Sequence, residues 1–168
     1  MLQVVIRTVN LSFYQYNSIL KKASWLLLSG IIAGLNISPV SAQKNININQ
    51  DSIDRPIVIS GTSGGTIKVL NITQTENSPT GYCDGFVNPQ PNHILTIDTF
   101  FDYLRLEVDS PADTTILVRG AGGVWCNDDA GSANPMIEGQ WQPGMYQIWV
   151  GSYQPNSMDN YQIRITDY

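Results

Sequence analysis

Basic residues are scarce in this chain of 168 residues: nine Lys and Arg stand against 14 Asp and Glu. Three of the nine, Arg7, Lys21 and Lys22, lie within residues 1–42, a stretch that contains no acid. Beyond residue 42 six basic residues face all 14 acidic ones, a net charge of −8. Such a surface repels phosphate backbones, which need clustered Lys and Arg. Nucleic acid and anionic membranes are therefore poor partners, and cations or basic partners fit better. Histidine is present once, as His93, and cysteine twice, as Cys83 and Cys126. A structural zinc site is built mainly from about four such ligands, so zinc is not expected. No apolar run reaches the ~20 residues that cross a bilayer as a helix, and no segment keeps a helical period over three turns.

The apolar run that is present, Trp25-Leu-Leu-Leu-Ser-Gly-Ile-Ile-Ala-Gly-Leu35, follows Lys21 and Lys22 and precedes Pro39-Val-Ser-Ala42. Basic, apolar and small-residue segments in this order read as a cleavable secretory signal over residues 1–42. Asn36, Ser38 and Pro39 interrupt any longer span, so no transmembrane anchor is expected after processing. No Cys at the cleavage site offers a point for a lipid. Residues 1–20 form a long head for such a signal and read as an extended n-region or an over-extended start. The mature protein is expected to be secreted or periplasmic. In that oxidising setting an even pair of cysteines forms a disulfide, Cys83–Cys126.

After a polar, Asn-rich segment at 43–54, read as a linker or a first edge strand, the apolar pattern takes period two. Strands are predicted at Ile57–Ile59, Ile67–Ile72, His93–Ile97, Leu104–Val108, Thr115–Val118, Val124–Cys126, Met145–Val150 and Tyr161–Ile165. Gly- and Pro-bearing turns separate them. Seven to nine short strands in one domain, residues 55–168, predict an all-β antiparallel sandwich.

Several segments carry a family likeness in order: Gly81-Tyr-Cys-Asp-Gly85, Pro91-Asn-His-Ile-Leu-Thr96, Asp113-Thr-Thr-Ile-Leu-Val118 and Trp125-Cys-Asn-Asp-Asp129. Asn134-Pro-Met-Ile-Glu-Gly139, Pro143-Gly-Met-Tyr-Gln-Ile-Trp-Val-Gly151 and Tyr161-Gln-Ile-Arg-Ile165 follow. Together they resemble the bacterial pre-peptidase C-terminal domain family, especially its stand-alone exported members. The resemblance covers about residues 57–167. It implies a jelly-roll-like sandwich related to collagen- and carbohydrate-binding modules. Many members accompany secreted peptidases as accessory modules; no peptidase is joined to the domain in this sequence.

Three constellations could carry chemistry. Gly61-Thr-Ser63-Gly-Gly65 matches the nucleophile-elbow pattern, with Asp84 and His93 following in hydrolase order. An elbow needs a strand before it and a helix after it. Thr66-Ile-Lys-Val-Leu70 reads as another strand, so a Gly-rich hairpin turn is the expectation and no catalytic residue is assigned. Asn127, Asp128 and Asp129 concentrate hard oxygen donors that suit Ca²⁺, with Asn134, Glu138 or the 43–54 segment as further ligands. The alternative is a solvated Asp-rich turn. Trp125, Trp141, Trp149, Tyr146 and Tyr153 form an aromatic set. In strand alternation Tyr146, Ile148 and Val150 share one face and Gln147 and Trp149 the other. Trp149, Tyr153 and Trp141 are the candidate ligand-stacking residues, Trp141 also being a candidate for the core. The sequon Asn71-Ile-Thr73 is common by chance and is given no weight.

The expected function is a non-catalytic exported binding module for an extracellular polysaccharide or protein polymer, steadied or not by Ca²⁺. The rivals are a structural envelope protein and a serine hydrolase built on Ser63.

Overall fold

The structure is a computed structural model that describes residues 43–167; the expected signal segment lies outside them. Thirteen strands, one short α-helix and one 3-10 turn (Gln50–Ser52) are present among the described residues. Nine strands have five or more residues: β1 (Lys44–Ile48), β2 (Ile57–Thr62), β7 (His93–Ile97), β8 (Phe101–Asp109), β9 (Thr114–Gly120), β10 (Gly123–Asn127), β11 (Met136–Trp141), β12 (Gly144–Ser152) and β13 (Asn160–Asp167). Four two-residue strands complete the set: β3 (Ile67–Lys68), β4 (Asn77–Ser78), β5 (Gly81–Tyr82) and β6 (Phe86–Val87). The helix is α1 (Val69–Thr73).

Two sheets form the sandwich. The larger runs β1-β7-β12, with β12 continuing to β9 and β10 along most of its length and to β6 and β3 at its end. The smaller has the order β11-β8-β13-β2. All pairings are antiparallel except one. β1 runs parallel to β7, with Lys44 opposite His93 and Ile48 opposite Ile97. The polar 44–48 segment therefore forms an edge strand, and it accounts for the single departure from an antiparallel sandwich.

Alternation explains the main core. Leu104, Leu106 and Val108 of β8 point inward while Arg105, Glu107 and Asp109 point out. Ile163 and Ile165 of β13 meet them from the neighbouring strand. The larger sheet contributes Leu95, Ile97, Ile116, Val118, Ile148 and Val150. Burying each of these aliphatic side chains contributes about 1.5–3 kcal/mol.

The larger sheet has a second, smaller core on its other face. Cys126, Leu117 and Trp149 lie opposite one another across β10, β9 and β12. They share parity, so all three project away from the main core. Val69 of α1, Val87 and Cys83 cover them. The strand expected over Ile67–Ile72 is thus replaced after Lys68 by α1. A helical turn puts Val69 and Thr73, four residues apart, on one buried face, about 6 Å apart along the axis instead of the ~13 Å of a strand. Gln74 then ends the helix in the left-handed region, φ 60°.

Residues 69–85 act as a strap across this outer face. The disulfide Cys83–Cys126 fastens it to β10. Around it, Ser78 Oγ accepts the Cys126 N–H at 2.8 Å and Thr80 Oγ1 donates to the Cys126 carbonyl at 2.8 Å. The Arg119 guanidinium donates to the Ile72 carbonyl. No helix among the described residues is long and apolar enough to cross a membrane.

Candidate functional site

The main core opens to solvent where β10, an edge of the larger sheet, faces β11, an edge of the smaller. A cleft of about 180 Å³ lies there, floored by Trp125, Trp141 and Tyr146 and rimmed by Thr80, Glu138 and Gln140. Trp125 reaches it because it pairs with Val118, itself opposite Ile148, on the core-facing row of the sheet.

The aromatic floor is a packed unit. Trp141 and Tyr146 meet edge-on with ring centres 4.9 Å apart. Trp125 lies 6.4 Å from Trp141 and 6.3 Å from Tyr146. Pairs of this geometry add about 0.5–1.5 kcal/mol beyond area burial. The buried polar atoms are satisfied internally: Trp141 Nε1 donates to the Leu104 carbonyl at 3.0 Å, and the Tyr146 hydroxyl to the Gln142 carbonyl at 2.7 Å. The rings are therefore fixed in place, and Trp125, only half-buried, presents the accessible aromatic surface.

A β-bulge shapes the rim. The β11–β8 register shifts between Gly139 and Trp141, and Gly139 has φ 142°. Two steps on β11 span three on β8 there, so the extra residue lies in β8 and lets Phe101 and Leu104, three positions apart, both face the core. Glu138, directly across from Arg105, receives that guanidinium at 2.8 and 2.9 Å. The Tyr103 hydroxyl donates to the same carboxylate. Those two donors, Tyr103 first and Arg105 second, hold the Glu138 carboxyl below the usual carboxylate range. The same bond raises the Tyr103 phenol above its ordinary value. The rim thus carries an anchored, ionised carboxylate beside fixed aromatic rings. Such a pairing can stack on an apolar ring face and accept hydrogen bonds from hydroxyls at its edge.

The predicted site residues do not converge. Trp141 joins the cleft floor. Trp149 is only 3% exposed and lies under the strap, so an outward-facing stacking role for it is corrected. Its face was read rightly as opposite to Tyr146, Ile148 and Val150; the covering strap is what alternation could not reveal. Tyr153, just beyond β12, is 47% exposed and far along that strand from Tyr146.

The oxygen set expected for Ca²⁺ is dispersed. Asn127 is committed to the fold: its Nδ2 donates to the Thr80 carbonyl and its Oδ1 accepts the Met136 N–H. Asn134 bonds Thr114 and the Ser110 carbonyl, and Glu138 belongs to the cleft rim. The 43–54 segment starts at the β1 edge, with β7, β12 and β9 between it and β10. Asp128 and Asp129 remain, close enough to Asp113 that their charges, after partial desolvation, raise its carboxyl. No group of three or more His, Cys, Asp or Glu is placed to hold a metal among the described residues.

The Ser63 segment is a packing device. Ser63 is buried; its Oγ bonds Ser152 Oγ at 3.0 Å and accepts the Asp159 N–H at 3.2 Å. Asp84 caps the N–H of Gly85. His93 is turned to Tyr161, so the three side chains form no relay. A Cβ on Gly64, whose φ is 86°, would lie 1.8 Å from the Ser157 carbonyl oxygen. Glycine there answers a close backbone approach.

The Tyr103–Arg105–Glu138 network was not anticipated. Its signal was nonetheless present, since Tyr103 and Arg105 alternate outward on β8 beside the apolar residues that define the strand.

Comparison with known proteins gives the following. No family model matches the chain. A protein of Synechococcus elongatus, described as uncharacterised, is 31% identical over 86 residues. The match takes in 49% of this chain and 63% of that protein, so the chain spans less than two thirds of this relative's length. Among solved structures, the pre-peptidase C-terminal domain of a Bacillus anthracis collagenase aligns with 74% of this chain and 97% of its own, at 11% identity and a TM-score of 0.43. Aeromonas hydrophila PliG, a periplasmic inhibitor of g-type lysozyme, aligns with 76% of this chain and 100% of its own, at 11% identity and a TM-score of 0.39. The two-sheet architecture stands on the chain's own strand pairings.

Proposed function

We propose that the protein is a non-catalytic binding module that works outside the cytoplasm and engages a polymer of the envelope or extracellular space through the Trp125–Trp141–Tyr146 cleft. The observation that carries this reading is the fixed aromatic floor beside the anchored Glu138 carboxylate, at the open seam between the sheets. A rigid aromatic surface binds a ring face at low entropic cost, and the rim groups select its orientation. The disulfide and the acidic surface favour an exported setting.

The test is a co-sedimentation screen of the protein against insoluble polymers: peptidoglycan, cellulose, chitin and collagen. Binding to one of them that falls about tenfold with Trp125→Ala, and also weakens with Glu138→Gln, supports the reading. Polymer binding indifferent to both substitutions, or no binding to any of the four, overturns it.

A further inference from the structure

A second open cleft, of about 360 Å³, lies where the strap meets the far end of β12 and the residues after β10. Its character differs from that of the first. Six large apolar side chains stand exposed among the described residues, and three of them, Leu70, Tyr82 and Tyr153, line this one cleft. Tyr82 is 65% exposed. Clustered exposure of this kind marks an interaction surface, whereas scattered exposure does not.

The cleft is also acidic. Glu76, Asp84 and Asp128 line it against a single cation, Lys68, whose ammonium lies 6.0 Å from the centre of the Phe86 ring. The ion pair recorded among the described residues, Arg105–Glu138, belongs to the other cleft. Three carboxylates thus stand beside exposed tyrosine rings with no matching guanidinium or ammonium pair.

We propose that this cleft receives a Lys or Arg side chain from a basic polypeptide partner. Such a side chain has two parts, an aliphatic stem and a charged head. The stem would lie on Leu70 and the tyrosine rings, whose faces also attract a cation. The head would meet the carboxylates, where charge-assisted hydrogen bonds are strong. A neutral glycan could use the tyrosines and donate hydroxyls to the carboxylates but would leave their negative charge uncompensated. An inorganic cation would make no use of the apolar wall. The net charge of −8 beyond residue 42 speeds the approach of a basic partner. Cys83 lines the cleft between Tyr82 and Asp84 and is bonded to Cys126, two residues before Asp128. The disulfide therefore ties one wall to the other.

The test is calorimetric titration of the protein with an oligolysine peptide, with an oligoglutamate peptide and a neutral oligosaccharide as comparison probes. Glu76→Gln/Asp128→Asn is expected to weaken oligolysine about tenfold. Tyr82→Ala should weaken it about threefold, and Lys68→Ala should tighten it. Asp98→Asn/Asp102→Asn removes the same charge near the opposite end of β12, where Gly144 pairs with Ile97. That pair should change affinity by less than about twofold. Equal weakening by the two double variants would mean a diffuse field and would overturn the proposal. So would absence of oligolysine binding, or Tyr82-dependent binding of the neutral oligosaccharide. The polymer screen uses the other cleft, so either reading can fail while the other stands.

Discussion

The Tyr161 hydroxyl lies 2.7 Å from Nε2 of His93 inside the sandwich, with the two rings edge to face. The other imidazole nitrogen, Nδ1, is buried without a partner. Burial, and secondly the charge of Lys44 on the adjoining strand, lowers the His93 pKa to about 4. In the unfolded chain it titrates near its ordinary value of about 6.5. Between those values the unfolded chain holds a proton that the folded one does not, so stability falls as pH drops from about 6.5 to 4. The loss from this group is up to roughly 3 kcal/mol. Urea unfolding at pH 7 and pH 4.5 should show a smaller difference in His93→Gln than in the wild type. Equal differences would remove the histidine from the pH response.

Loss of the disulfide should act in two places. Cys83→Ser/Cys126→Ser is expected to cost about 2–4 kcal/mol, since the bond closes a loop with a sequence separation of 43. It should also loosen the strap over Trp149. Acrylamide quenching of tryptophan fluorescence should rise in the double variant below its unfolding midpoint. Quenching unchanged until global unfolding would show that Ser78, Thr80 and Arg119 hold the strap unaided.

Gly64→Ala should destabilise the fold by more than about 2 kcal/mol, through a positive φ and a Cβ driven into the Ser157 carbonyl. Ser63→Ala should cost about 1–3 kcal/mol by leaving the Asp159 N–H without its acceptor. Thermal melts measure both. Polymer binding by the folded fraction should be retained, because neither residue touches the aromatic cleft. A Ser63→Ala protein that folds normally yet loses an esterase activity would revive the hydrolase.

Calcium should move the melting midpoint little. Asn127 and Asn134 spend their side chains inside the fold, and two or three remaining carboxylates fall short of a six- to eight-oxygen shell. Melts in millimolar CaCl₂ and in excess chelator are expected to coincide within about a degree. A folded-state ligand must stabilise, so a rise of several degrees in CaCl₂ would restore Asp113, Asp128 and Asp129 as a binding set.

The legible parts of the fold were those where period-two alternation is unbroken, such as Leu104–Val108 and Tyr161–Ile165. β11 is hard to read because its middle inward position is Gly139, so only Ile137 and Trp141 mark the alternation. The Ile67–Ile72 segment reads as a strand because Ile67, Val69 and Ile72 are β-formers. Its helical turn follows from the packing of Val69 with Leu117, Cys126 and Trp149 on the outer face of the larger sheet. The aromatic cleft was half visible: its rings were singled out, but the seam that gathers them depends on which two edge strands face each other. Trp149 shows the limit most plainly. Its side of β12 could be deduced, whereas its cover comes from residues some 65 to 80 positions earlier.

β2 has a single neighbour in its sheet, and that neighbour is β13. Residues 57–62 therefore wait, unpaired and with Ile59 uncovered, until residues 160–167 are available. Folding of such a chain is governed by its last strand to arrive, and pairings of this sequence separation form slowly. The smaller sheet cannot close before β13 is in place, so β13 acts as the latch that completes the sandwich.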